Sequence, residues 1–253
     1  MGCCTNCLVL QPILVKGKNM NKYNTKEPGN CELLMTRKIR HHMNWQEITD
    51  KMKKGILRTD IGTIVSCNLT NGTSAKFVVT DVTDQYVRFE TKNFIGDEVE
   101  WNENDSNKGG YPDSYIRGYI DTTIWNLLPK DLQAIIRDVD RKWKDRNGNC
   151  STYTTKLFLP TASEMFDEYN CYGDKGLYKQ LDFYKEARNR IRVDEDGDTR
   201  CYWLASVKNG SSEDACTVLG NGRDREWSTS SLFRVPVCFQ ISCMTEEHNL
   251  NLD

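Results

Sequence analysis

Three short stretches near the C-terminus constrain the fold most. Residues 202–206 (Tyr-Trp-Leu-Ala-Ser), 215–219 (Ala-Cys-Thr-Val-Leu) and 233–241 (Phe-Arg-Val-Pro-Val-Cys-Phe-Gln-Ile) are apolar or alternating, and turn-rich polar segments separate them. Runs of this length, bounded by Gly, Asn, Ser and Asp, read as buried strands. The segments between them, 209–214 and 221–230, are too polar to bury and are expected as loops on a rigid floor. A floor of that kind suits a display surface better than an active site.

Upstream, the period changes several times. Asn44 with Glu47 three residues on forms a capping box, and Trp45, Ile48 and Met52 fall on one helical face. Residues 63–70 and 75–82 read as strands joined by a two-residue Asn71-Gly72 turn, and 86–90 alternates as a third strand. Tyr115, Ile116, Tyr119 and Ile120 fit one helix. A second opens at Pro129, with Leu132, Ile135, Ile136 and Val139 as its buried stripe. Residues 142–153 read as a polar loop, 157–160 as a short buried strand, and Thr161 with Glu164 as another capping box. A helix is expected over 178–190 and an acidic turn over 194–198. Helix, antiparallel strands, helices and strands again make an α+β chain, not an alternating βαβ one.

The 253 residues give room for one large domain, assigned to 43–245, with tails at 1–42 and 246–253. Charged residues make up 28% at a net charge of -2, so no nucleic acid partner is expected. No run reaches the ~20 apolar residues of a membrane span. A basic n-region and cleavage site are missing at the N-terminus, so a cytoplasmic or virion-associated location is expected over secretion. Met1-Gly2-Cys3-Cys4 begins like an acylation site, but Asn6 stands where Ser or Thr is required. Residues up to about 40 read as a weakly packed tail, or as an extension ahead of a start at Met20, Met35 or Met43. Without a secretory signal, most of the eleven cysteines are expected to be reduced.

Several motifs together resemble an uncharacterised domain family of gut-type bacteria and their phages and prophages. They are Asn44-Trp45 with Glu47-Ile48; Gly-Tyr-Pro-Asp-Ser-Tyr at 110–115; Leu-Leu-Pro-Lys-Asp-Leu-Gln-Ala-Ile at 127–135; and Lys-Leu-Phe-Leu-Pro at 156–160 with Glu164 and Phe166. Tyr184-Lys185 with Ala187, Asn189, Arg190 and Ile191, then Tyr202 to Ser206, and finally Val235-Pro236 with Phe239 complete the set. The resemblance implies a C-type-lectin-like fold and a non-enzymatic binding or display role, in some cases on phage tails. It also relates the chain to variable proteins of diversity-generating retroelements, whose last strands and loops are diversified. The implied partner is a cell-surface protein or glycan. The alternative is a structural phage or prophage tail subunit, in which the same surface makes a homo-oligomer. The chain departs from the family ending at Tyr202, Ala205 and Val207, and at the order of Arg234-Val235-Pro236.

The candidate ligand-binding residues are Asn209, Ser211, Ser212, Glu213 and Asp214 in the first loop. In the second they are Asn221, Arg223, Asp224, Arg225, Trp227, Ser228 and Ser230. Arg and Trp are the side chains that carry most interface energy. Arg223, Arg225 and Trp227 are expected to project into solvent beside 211–214. Trp203 is expected in the core against Leu159 and Phe239. No cofactor is expected. Cys4 and Cys7 have ligand spacing without a second pair, and the acidic turn has Gly197 misplaced for a calcium loop. The lectin-like formylglycine-generating enzymes suggest a thiol reading for Cys238 and Cys243, but no His lies near in sequence to activate either.

Overall fold

The computed structural model describes residues 31–34, 42–54, 60–168, 173–194 and 196–243. The acylation-like start, Cys4 and Cys7, and the tail residues 1–30 and 246–253 lie outside them. The described strands are β1 (Cys31–Leu34), β2 (His42–Met43), β3 (Ile64–Asn68), β4 (Ser74–Val82), β5 (Tyr86–Thr91) and β6 (Val139–Lys144). They continue as β7 (Cys150–Thr155), β8 (Tyr202–Val207), β9 (Asp214–Val218), β10 (Asp224–Ser228) and β11 (Cys238–Ser242). A six-stranded sheet runs β11-β5-β4-β3-β1-β2, a three-stranded sheet runs β10-β9-β8, and β6 pairs with β7. All named pairings are antiparallel, and helices are few, so the chain is α+β.

Helix α1 (Trp45–Lys53) carries the expected capping box: Glu47 N–H donates to Asn44 Oδ1 at 2.8 Å, and Asn44 N–H donates to Glu47 Oε2 at 3.2 Å. Its buried face seats Trp45 edge-on against Phe77, Phe89 and Phe239, at 6.0, 5.6 and 6.1 Å between ring centroids. The β3–β4 turn is one residue longer than Asn71-Gly72 alone suggests. Leu69 and Thr73 close it at 2.8 Å, with Gly72 at φ 83° in the left-handed region that glycine enters freely.

The helical middle is more broken than its periodicity implies. Helix α2 (Tyr115–Tyr119) widens into a π turn over Ile120–Ile124 and continues as α3 (Trp125–Leu127). Helix α4 (Lys130–Ile135) ends before Val139, which starts β6 instead of extending the stripe. Residues 142–153, read as a polar loop, lie in the β6–β7 hairpin, whose alternating charged and Thr residues hide the strand signal. Helix α5 (Ala162–Met165) begins at the Thr161–Glu164 capping box. The expected helix over 178–190 is instead two 3-10 turns, Asp182–Lys185 and Ala187–Arg190. Buried Phe183 and Tyr184 are adjacent, a spacing that makes no helical stripe, and Asn189 Nδ2 and Arg190 Nη1 take their carbonyls. Segment 31–34, assigned to the tail, pairs with β3.

Two apolar clusters fill the interior, and strand alternation sorts residues between them. Trp203, Ala205 and Val207 of β8 join the larger, with Phe77, Phe89, Leu159 and Phe239. Tyr202 and Leu204 join the smaller, with Met165, Phe183, Cys216 and Val218. Trp203 is fully buried, donates its Nε1–H to Val99 C=O at 2.9 Å, and meets Phe233 edge-on at 4.9 Å.

Candidate ligand-binding surface

Residues 224–228, read as loop, form strand β10, because an edge strand can keep one face in water and so accepts Arg and Glu. Strand β11 in turn leaves this sheet and pairs with β5, placing Phe239 on Phe89. Strand β9 therefore lies between two turns, 208–213 and 219–223, at its opposite ends. Four residue steps, roughly 13 Å, separate them. The second segment runs back along β9: Ser228 pairs with Asp214 and Thr229 N–H donates to Glu213 C=O at 2.8 Å, so its 226–230 end lies beside the first loop as expected, whereas its 221–223 turn lies at the far end.

Each loop is tied to its own surroundings. Asn107 clamps the first: its Nδ2 donates to Ser211 C=O and Asp214 C=O, both at 2.9 Å, and its N–H donates to Ser212 C=O at 2.8 Å. Ser211 Oγ accepts the Glu213 and Asp214 N–H groups, and Lys208 Nζ reaches Asp214 at 3.4 Å and Glu226 at 3.3 Å. Asn209, Ser212 and Glu213 remain exposed. In the second turn Asn221 Oδ1 accepts Arg223 N–H at 3.1 Å, and Arg190 Nε donates to Gly222 C=O at 3.0 Å. A side chain at Gly222, φ 80°, would meet Ala187 C=O at 3.0 Å. Asn221 and Asp224 thus belong to an anchored turn away from the first loop.

Arg223, Arg225 and Trp227 do project into solvent, from alternate positions on one face of β10. Trp227 is 42% exposed yet held in place. Its ring meets Phe233 edge-on at 5.7 Å, Phe233 meets buried Trp203, and the Arg225 guanidinium covers Trp227 at 5.4 Å. This ladder fixes a large exposed aromatic to the core, so little side-chain freedom remains to be lost on binding. Ser228 Oγ donates to Asp105, as does Ser230 Oγ at 3.4 Å, which joins the end of β10 to the 97–105 segment.

That segment and two apolar side chains were missed in the sequence. Five of the nine residues 97–105 are acidic. Glu98, Glu100 and Glu103 line a cleft of about 290 Å³ with Val99, Tyr115 and Leu232. Val99 and Phe233 exchange backbone hydrogen bonds at 3.0 and 3.2 Å, so the cleft adjoins the aromatic ladder. Tyr115 is 40% exposed and Leu232 57%; with Trp227 they are three of the five large exposed apolar side chains among the described residues. The acid-rich run around Trp101 is the signal that could have found this wall.

A second polar assembly lies behind the six-stranded sheet. Phe89 and Phe239 face the larger core, so their neighbours Arg88, Glu90 and Cys238 point to the other side, where they are also buried. Glu164 takes Arg88 Nη1 at 2.5 Å and both Arg141 terminal nitrogens at 2.9 and 2.7 Å. Burial alone would push the Glu164 carboxyl up, but Arg141 and then Arg88 outweigh it and hold it far below its ordinary range. Glu90 pairs with Arg192 at 2.7 Å and accepts the Tyr184 hydroxyl. Cys238 Sγ sits between Arg88 Nη2 at 3.3 Å and Glu90 Oε2 at 3.4 Å, and burial pushes its thiol well above the ordinary range. Burial also raises Cys243. In the acidic turn Asp194 accepts the N–H groups of Asp196 and Asp198 and pairs with Arg200, so its carboxylate is used internally. Among the described residues no His, Cys, Asp and Glu group is placed to hold a metal ion, and no helix is long and apolar enough to cross a membrane.

A family defined as a domain of unknown function (DUF6273) matches residues 76–243, about two thirds of the chain. No curated protein and no solved structure matches it.

Proposed function

For this chain, which belongs to the DUF6273 family, we propose a non-enzymatic binding module of C-type-lectin-like architecture. Its ligand face is formed by β10 and the neighbouring acidic cleft. The carrying observation is exposed Trp227, wedged through Phe233 onto the buried Trp203, next to a cleft at Val99 that exposed Tyr115 and Leu232 line. Monomers seldom display large apolar side chains together without a partner for them. The carboxylates of Glu100 and Glu103 and the Arg225 guanidinium supply the polar rim that fixes orientation. The ligand is a cell-surface protein or glycan. Against the thiol-enzyme reading stands the state of the cysteines, since a thiol raised by burial is a poor nucleophile at neutral pH.

The test pairs a thermal melt with binding to a glycan array and to intact cells. Trp227→Ala with Leu232→Ala should melt close to the parent yet lose about 30-fold or more in binding, the scale of one hot spot. Array binding names a glycan, and cell binding without array binding names a protein. Unchanged binding by a folded double variant moves the site off this face.

A further inference from the structure

The polar layer behind the sheet opens to solvent at a cleft of about 560 Å³ near the β6–β7 hairpin. Besides Glu90 and Glu164, a third buried carboxylate, Asp174, reaches the Glu164 end of the layer through Ser163 and Thr161, away from the cleft. Three buried guanidiniums lie in the layer: Arg88 and Arg141 share the Glu164 carboxylate, and Arg192 pairs with Glu90. Of the three, Arg141 lines the cleft, held between Phe158 at 4.4 Å and Tyr178 at 4.3 Å. Its Nε–H is buried without a hydrogen-bond partner.

Two further donors meet at the same place. Arg137 N–H donates to Gln240 C=O at 3.0 Å, which sets the two residues side by side. Both line the cleft. Gln240 is only 5% exposed, and among the described residues no hydrogen bond is made by its carboxamide. Arg137 stacks over Tyr86 at 6.0 Å, and among the described residues no carboxylate pairs with it. The carboxamide of an otherwise buried Gln, reaching water only inside this cleft, is a donor open to a ligand there.

We propose that this cleft binds a small oxyanion, a carboxylate or phosphate group, held by Arg137 and Gln240 at the cationic edge of the Arg141–Glu164–Arg88 cluster. A guanidinium and an amide from adjoining residues of one cleft can each donate to the two oxygens of such a group. Asp138 and Asp140 also line the cleft, but both are exposed. Lys156 stands 3.9 Å from Asp138, and Asp140 accepts the Thr154 hydroxyl at 2.6 Å. Water and salt screen them far more than the buried guanidiniums. The site is separate from the β10 face and does not depend on its reading.

The experiment is a titration of the full chain with sodium phosphate and, separately, with sodium acetate. Chloride holds the ionic strength constant, and amide and guanidinium Nε–H resonances are followed. Saturable shifts of the Gln240 side-chain NH₂ and the Arg137 Nε–H are expected, and the ion that saturates first names the group. Arg137→Met and Gln240→Leu should each weaken binding about ten-fold, while Trp227→Ala should leave it unchanged. The wild-type titration decides the matter even if a variant fails to fold: absence of saturable shifts at Gln240 and Arg137 with both ions overturns the proposal. Binding that survives in both folded variants also overturns it.

Discussion

Glu164→Gln is the sharpest probe of how α5 is held to β5 and β6. The carboxylate belongs to α5, while its partners Arg88 and Arg141 come from β5 and β6. Gln keeps the shape and removes the charge, leaving two buried guanidiniums against a neutral amide. Breaking a buried pair from one side costs about 3–5 kcal/mol. The upper end applies here, because Glu164 serves two cations and also accepts Thr161 N–H at 2.9 Å. Against a usual stability of about 5–15 kcal/mol, that is a large fraction. With a urea slope of about 3 kcal/mol per molar, the midpoint should fall by roughly 1.5 M. The companion variant Arg88→Met, Arg141→Met, Glu164→Leu removes the charges together and should recover most of the loss, since apolar replacement of a whole buried ion cluster is often neutral. The pair also has a pH signature. A carboxyl whose folded pKa is depressed stabilises fully above its unfolded value, ordinarily 4.5, and loses that contribution as pH falls toward the folded value. The parent should therefore weaken in acid below about pH 4.5, and Glu164→Gln should flatten that limb. A midpoint shift under about 0.3 M, or a triple variant no better than the single one, would refute the reasoning.

Other outcomes follow from packing. Trp203→Ala empties the centre of the larger core and removes one of the two hydrogen bonds that Val99 C=O accepts, so it should cost about 3–5 kcal/mol in a denaturant titration. Gly110→Ala should fold poorly or not at all, because its backbone has φ 66° and a Cβ there would lie 1.9 Å from Trp143 Cζ3. Iodoacetamide labelling of the native protein, read peptide by peptide, should modify exposed Cys150 and spare buried Cys67, Cys216 and Cys238. Labelling of Cys238 at a rate near that of Cys150 would contradict the buried polar layer.

Local signals in the sequence proved readable where one residue decides the backbone. Both capping boxes, the place of the Gly72 turn though not its length, the acidic turn around Asp194 and the exposure of Arg223, Arg225 and Trp227 depend on chemistry within a few positions. What failed depends on distant partners. Arg88 and Glu90 alternate with Phe89 like a water-facing row, and nothing nearby shows that Glu164 and Arg192 lie across from them. The β6–β7 hairpin was hidden because its one buried charge, Arg141, finds its counter-charge 23 positions away. The proposed binding face was half visible. Its aromatic anchor stood out by composition, whereas Tyr115 and Leu232 join it only through the tie of Phe233 to Val99.

Strand β11 pairs with β5 across 148 positions of chain, as the Cys238–Glu90 contact measures. On the ribosome this has a consequence. At about 5–20 residues per second, roughly 7–30 s pass between the synthesis of β5 and the arrival of the strand that covers Phe89. During that interval the nascent sheet carries an open, aromatic edge, which is a template for pairing with the wrong chain. The β10 strand is made within the same excursion, so a substitution there must still deliver β11 to its place. Translation speed and chaperone supply would then bear on how much of a β10 variant reaches the folded state.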